Sequence, residues 1–448
     1  MKLTFRKGLN LNNIEGAIDG DVTPIELAAA LCAVVPDDFP GFLPKPAVKE
    51  GDEVACGSPL LFDKAHPEVK IVSPVSGRVK AVVRGERRKI LRVEVEAASV
   101  DVAAPSFVTP KNEAEARQFL SESGLLALMR QRPYDIVPNP ADVVRDIFVT
   151  AIDNAPLASS AATLGTTIFG KDDFEAGVAV LSLVTKGKVY VATDNSWTFG
   201  DLRGAEMLEV QGIYPSGNVS VQIAAVAPVD KGETVWTLDA ETLARIGRVA
   251  KSGKFDASTI VAITGPEVAT PALVKTVMCA AIAPVIAGKL ADTTRHLRVI
   301  SGNVLTGIAV DAAEGYLLYP YRQISVIAEG DDVDEFMGWA SVSLKKMSES
   351  RSFPGYFLRR LFKPDARLNG GRRAMIMSGQ YEATLPMDIM PEYLIKAILS
   401  HNIEDMEKLG VYEVAPEDFA AAEYVDTSKL PLQQIVRDGL NWLRKELE

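Results

Sequence analysis

The segment VKEGDEVACGSPLLFDKAHPEVKIVSPVSGRVKAV, Val48 to Val82, constrains the fold most, because glycine or proline interrupts its apolar runs at close intervals. Glycine permits backbone conformations that other residues avoid, and proline removes an amide donor, so only short strands fit between the breaks. VKEGDEV, SPLLF, VKIVSPVSG and, further on, RKILRVEVE each read as a strand or a strand ending in a turn. Residues from about 45 to 97 are therefore predicted to form a small all-β unit. The pattern changes after AASVDVAAPSFVTPKN, where EAEARQFLSESGLLALMRQ carries apolar residues at helical spacing. Asn112, followed by Glu113 and Glu115, suits the start of that helix, and the boundary falls near residue 105.

A chain of 448 residues exceeds what one hydrophobic core supports, so three or four domains are expected. RPYDIVPNP holds three prolines in nine residues and reads as extended loop. DIFVTAI, FEAGVAVLSLVTKG and VYVAT follow as strand, helix and strand, the order of a parallel α/β layer. VSVQIAAVAPV and ETVWTLD read as further strands, and this domain ends near residue 255. STIVAITG, a helical TPALVKTVMCAAIA, LRVISGNVLTG and QISVIAEG then suggest a β-α-β-β unit of the β-grasp type. Beyond Asp331 the sequence reads as helical: in LPLQQIVRDGLNWLRKELE, Leu432, Ile435, Val436, Leu440 and Leu443 share one face. The expected domains are 1–104, 105–255, 256–330 and 331–448.

The first segment is similar to domains that carry a lipoyl or biotinyl group on a hairpin lysine, with Lys64 near the lysine position and SPVSG as the turn. Ten positions separate Lys64 from Pro74, which enlarges the hairpin, and Pro67 lies within it. An unmodified barrel is the preferred reading; a soluble carrier enzyme with acylated Lys64 and a nucleotide-binding α/β domain is the alternative. GTTIFGKD, Gly165 to Asp172, nearly matches a phosphate-binding loop, but Asp172 replaces the magnesium-binding hydroxyl, and a coincidental loop is expected. No dinucleotide-type G-x-G-x-x-G occurs. His66, His296 and His401 are isolated, and Cys32, Cys56 and Cys279 are too few and scattered for a metal cage or disulfide scaffold. EGDDVDEF, Glu329 to Phe336, lacks the glycine and ligand alternation of a calcium loop and reads as acids opening a helix.

A net charge of −11 argues against nucleic acid as a partner of the whole surface. One stretch departs from it: Lys345 to Met375 holds nine Lys or Arg against Glu349 and Asp365, interleaved with Phe353, Tyr356, Phe357 and Phe362. On an acidic background this reads as a docking surface, with Arg359, Arg360, Arg372 and Arg373 as its contacts. The N-terminus has no signal-peptide pattern, and the longest apolar run, Val277 to Gly288, is too short to span a bilayer and contains Pro284. A cytoplasmic protein is expected.

Taken in order, FRKGLNL, the Val48 to Val82 segment, RPYDIVPNPADVVRDIFVTAIDNAPLAS, ISGNVLTG and GRRAMIMSGQYEATLPMDIMPEYLIKAIL resemble the A subunits of sodium-translocating NADH:quinone reductases. That resemblance implies a barrel-sandwich hybrid, a Rossmann-like α/β domain, a β-grasp (SLBB-like) domain and a helical C-terminal domain. It implies a peripheral subunit on the cytoplasmic face of the bacterial inner membrane, partnered by the other subunits of a six-subunit sodium pump, chiefly a membrane subunit. No covalent cofactor is expected on this chain, and NADH, flavins and iron–sulfur are expected on other subunits. Quinone contact is implied near CAVVPDDFPGF and RQRPYDIV, with Phe39, Phe42 and Tyr134 to stack on the ring and Arg132 to donate to a carbonyl. The competing reading is that these proline-flanked aromatics pin loops to a domain surface. The related C subunits of the ferredoxin:NAD complex add cysteine clusters that this chain lacks.

Overall fold

The computed structural model describes every residue except 21, 333–336, 341 and 448. Two small antiparallel sheets form the first unit. Leu31–Val34, Ile90–Ala97, Gly77–Arg84 and Glu53–Val54 make one, and Pro44–Pro46, Pro59–Asp63 and Lys70–Val72 the other. Their facing residues, among them Leu60, Leu61, Ile71, Val79, Val93 and Val95, are buried and close the barrel around one core. Residues 1–30, assigned above to this unit, do not belong to it alone. Lys2–Thr4 pairs in parallel with Glu206–Gln211 at the edge of the α/β sheet, and Ile25–Glu26 pairs with Ala272–Val277 at the edge of the next.

In the α/β unit four parallel strands run in the order Glu206–Gln211, Val189–Thr193, Val144–Thr150, Thr234–Asp239, and Arg130–Arg132 adds antiparallel to the last. Successive residues of Val144–Thr150 bury on opposite faces: Ile147 and Val149 meet the core shared with helices Lys171–Leu181 and Ala240–Ser252, and Phe148 meets helix Val219–Val226. Burial on both faces is why DIFVT reads as an unbroken apolar run. Asn112 caps helix Glu113–Glu122 as expected, its side chain accepting from the Glu115 amide.

VSVQIAAVAPV reads as a strand in the sequence; Val219–Val226 is a helix. It lies between the sheet and the C-terminal helices, with Ile223 in one core and Val221 in the other. Burial on both sides removes the polar face that distinguishes a helix from a buried strand. The opposite correction holds in the third unit. The expected helix TPALVKTVMCAAIA contains strand Ala272–Val277, antiparallel to Ser258–Thr264, and only Ile282–Ile286 beyond it is helical. The third sheet runs Ile308–Val310, Leu297–Ser301, Gln323–Ala328, Ser258–Thr264, Ala272–Val277, Ile25–Glu26, with the two central strands parallel.

The last unit is helical only from Gln380–Thr384 onward; between 337 and 379 the described chain holds only two short 3-10 turns, Gly338–Ala340 and Pro354–Phe357. Leu432, Val436, Leu440 and Leu443 on helix Leu432–Leu447 are fully buried against Pro391–Leu399, and Ile435 packs at their edge. Of the acidic stretch EGDDVDEF, Glu329, Asp331 and Asp332 precede residue 333, and Val333 to Phe336 lie outside the described residues.

Helices Lys171–Leu181 and Ala240–Ser252 touch backbone to backbone. A Cβ on Gly177 would sit 2.1 Å from the Leu243 carbonyl oxygen, and one on Gly247 would sit 1.8 Å from that of Asp173. Alanine intrinsically favours a helix interior over glycine by about 1 kcal/mol, but overpacking here costs about 1–3 kcal/mol or more. With a backbone oxygen at 1.8 Å the overpacking outweighs the propensity gain, and Gly247→Ala should lower the thermal midpoint by about 1–4 °C. An unchanged or raised midpoint in an unfolding scan would refute this close approach.

Candidate functional site

Two segments about ninety positions apart meet at the seam between barrel and α/β unit. The Arg130 guanidinium donates to the Asp38 carbonyl at 2.7 Å, and the Val137 amide donates to the Pro40 carbonyl at 2.8 Å. Gly41, at φ 83°, lets the loop fold onto Ile136, whose side chain a Cβ would meet at 2.8 Å. The structure thus brings CAVVPDDFPGF and RQRPYDIV together.

Their four singled-out side chains diverge. Phe39 is buried and stacks on Tyr319, ring centroids 5.5 Å apart and planes 2° from parallel. Phe42 enters the barrel core. Arg132 and Tyr134 turn the other way, onto the C-terminal helices, where Tyr134 meets Tyr412 edge-on at 6.3 Å. No open slot is lined by all four.

Arg132, only 1% exposed, pairs with Asp135, donates to the Ser220 hydroxyl at 3.2 Å, and lies 3.9 Å from Glu417. Asp135 also pairs with Arg437, which donates to the Tyr134 and Asp135 carbonyls. These bonds hold Tyr134 and Asp135 at φ 76° and 52°, a region non-glycine residues seldom occupy. Burial alone would raise Asp135, but Arg132 and Arg437 outweigh it and keep the carboxyl well below the usual range. Although 48% of the Glu417 side chain is exposed, desolvation by the surrounding chain, with Asp418 adjacent, raises its carboxyl to about 7 against the pull of Arg132. Burial raises Asp38 to about 7 as well, against the hydrogen bond from the Tyr319 amide. Asp135, Glu417, Asp418 and Tyr319 escaped sequence reasoning, since nothing local in PEDF or YPYR points to Arg132 or Asp38.

The remaining candidates fall elsewhere. Lys64 is exposed, on a hairpin end that is folded against itself: Asp63, buried beneath it, accepts from the Leu43, Ala65 and His66 amides. Gly165 lies inside helix Ala161–Ile168, so GTTIFGKD is no phosphate loop. At the next helix the Asp173 carboxylate occupies the N-terminus by accepting from the Gly170 amide, itself held by Arg248 and Lys251. Cys32 and Cys279 are buried and Cys56 half-buried; burial pushes Cys32 to about 12 and Cys56 to about 11, which keeps them as thiols. His296 pairs with Asp331, His401 packs on Trp442, and no metal-ligand group occurs among the described residues.

In the basic stretch Phe362 is the anchor. It is buried, and its backbone bonds Asn13 and Glu15. Around it Phe357, Leu361, Leu368 and Ile376 are more than half exposed. Arg360 donates to the Leu344 carbonyl and lies over the Phe362 ring, whereas Arg359, Arg372 and Arg373 are exposed and make no side-chain bond among the described residues. No described helix is long and apolar enough to cross a membrane.

Glu417 carries a pH signature. Its carboxyl is raised from 4.5 to about 7 on folding, so the folded chain holds the proton more tightly, and stability grows as pH falls from about 7 toward 4.5. The thermal midpoint should be higher at pH 5.5 than at 7.5, and Glu417→Gln should raise the pH 7.5 midpoint and narrow the difference, the remainder belonging to Asp38 and Glu413, which burial also raises to about 7. Unfolding scans at the two pH values check this; a pH-independent wild-type midpoint contradicts it.

Comparison with known proteins bears on this geometry. Family models match residues 3–98 (NqrA N-terminal barrel-sandwich hybrid domain), 111–255 (NqrA second alpha/beta domain) and 260–312 (NQRA C-terminal domain). The chain is 33% identical to the A subunit of the Na(+)-translocating NADH-quinone reductase of Neisseria meningitidis serogroup B, covering 99% of this chain and all of that one. It is 34% identical to the same subunit of Serratia proteamaculans and 32% to that of Yersinia pestis bv. Antiqua, at the same coverage. A solved chain of an NAD+-reducing [NiFe]-hydrogenase overlaps 42% of this chain and 41% of its own at 14% identity and TM-score 0.32, too loose to place a site. On full-length similarity and the three matched domains, the chain belongs to the NqrA family, the A subunits of Na(+)-translocating NADH-quinone reductases.

Proposed function

We propose that the chain is a peripheral subunit on the cytoplasmic face of a sodium-exporting NADH:quinone reductase, non-catalytic by itself, holding the membrane subunits through residues 344–377. The observation that carries this reading is the exposed combination of Phe357, Leu361, Leu368 and Ile376 with the unpaired Arg359, Arg372 and Arg373. Exposed apolar surface beside unneutralised guanidinium groups is the signature of an interface awaiting its partner. Membership of the NqrA family, whose relatives are named as subunits of a complex, supports taking another subunit as that partner.

In this reading electron carriers and NADH belong to other subunits. Phe39, Phe42, Arg132 and Tyr134 are committed to packing and ion pairing, so a quinone reaching the seam between residues 36–42 and 130–137 would meet its loop backbone and not these four side chains in their present positions. The order of parallel strands supports a Rossmann-like reading of the second unit, and the parallel central pair of the third supports a β-grasp. The folded hairpin end at Lys64 gives the carrier-enzyme alternative no support.

Reversing Arg359 and Arg372 to Glu should reduce co-purification with the membrane subunits by about tenfold or more while the isolated chain keeps its thermal midpoint. Recovery of the complete complex with the double variant would overturn the docking assignment.

A further inference from the structure

A cleft of about 280 Å³ opens at the carboxyl ends of parallel strands Val144–Thr150 and Glu206–Gln211. Its walls come from residues 9–17 of the N-terminal segment, 153–158 after the first strand, and 212–214 after the second. In open parallel sheets ligands bind outside the carboxyl ends of the strands, where the strand order reverses; Val144–Thr150 is one of the two strands at that reversal, and the cleft opens from it toward Glu206–Gln211. This cleft is also preformed. The N-terminal wall is tied at one end by the Leu9 amide on the Tyr214 carbonyl, and at the other by Gly16, whose Cβ would sit 2.1 Å from the Gly265 oxygen.

The lining chemistry is specific. Leu9, Leu11, Ile14, Ala155 and Leu157 are buried and form an apolar floor. Asn154 is spent on Ser216 and Gly217, but other polar groups are free among the described residues. Asp153 Oδ1 accepts from the Ala155 amide, leaving Oδ2 without a protein donor on an exposed side chain. Asn10 Oδ1 accepts from the Asn12 amide, leaving its NH2 group and the Asn12 side chain unbonded. No Lys or Arg lines the cleft. A phosphate or carboxylate there would meet the Asp153 carboxylate, while the Arg322 guanidinium that attracts Asp153 lies outside the lining and is already paired with Asp239 and Glu241; a hydroxyl or amine would find free acceptors. Small-molecule pockets span roughly 300–1,000 Å³; at about 280 Å³ this cleft sits just under the lower end, a size for a ring with one sugar and not for a dinucleotide.

The geometry points to a binding site for an uncharged nucleoside-class ligand, its planar ring on the apolar floor and its vicinal hydroxyls on Asp153 and the asparagine amides. This goes beyond family membership and stands independently of the docking surface, which lies on other residues.

The test is isothermal titration of the full chain with adenosine, 2′-deoxyadenosine and AMP. Adenosine should bind saturably at one site, and loss of one hydroxyl should weaken it by about tenfold, as should addition of the phosphate. Asp153→Asn should weaken adenosine by a similar factor and narrow the gap between adenosine and AMP, because the repulsion leaves with the charge. Ala158→Trp, which fills the cleft, should abolish binding at an unchanged circular dichroism spectrum. No saturable heat from adenosine at millimolar concentration would overturn the site, as would AMP binding as tightly as adenosine to the wild-type chain. Should a variant fail to fold, the three-ligand series on the wild-type chain decides alone.

Discussion

Arg322 is the fastener between the second and third units. It opens strand Gln323–Ala328 and reaches across to Asp239 at 2.7 Å and Glu241 at 2.9 Å, the residues that begin helix Ala240–Ser252. Asp239 caps that helix through the Thr242 amide, and Glu241 pairs with Arg245, which donates to the Asp256 and Ser258 carbonyls. Burial would raise Asp239, but Arg322 outweighs it and holds the carboxyl low. Charges taken out of water in this way add little net stability, yet removing one partner strands the others. The network therefore specifies how the units dock more than how tightly.

The same device recurs at the fourth unit, where Arg132, Asp135 and Arg437 fix a loop of the α/β unit to the last helix. Tyr319 adds a neutral counterpart. Its ring stacks on Phe39, its amide donates to Asp38, and its hydroxyl donates to the Leu128 carbonyl, joining three units at one residue. The N-terminal segment laces them further, giving an edge strand to each large sheet before it enters the barrel. Apolar cores stabilise each unit; polar and backbone contacts set their mutual positions.

This division explains what was legible. Barrel strands, the strands of the parallel sheet and the final amphipathic helix carry their pattern locally, in alternation, turn residues or three-four spacing. Val219–Val226 and Ala272–Val277 mislead a sequence reading because both are apolar where a diagnostic polar face is needed, and burial by neighbouring units erased it. The quinone candidates show the same limit: residues 36–42 and 130–137 lie side by side, but side-chain direction depends on which core each one faces. The basic stretch was legible because unneutralised charge in an acidic chain is a local property.

By itself the sequence determined the all-β character of the first unit and the acidic surface with one basic exception, because composition and short-range periodicity act within a few residues. Only the tertiary structure decided that Asp135 and Glu417 share Arg132, that Asp173 fills a helix terminus resembling a phosphate site, and that residues 9–17 roof a cleft at the sheet's carboxyl end. Those are contacts between segments tens to hundreds of positions apart, and burial and Coulomb interactions depend on distance in space, which no local pattern encodes.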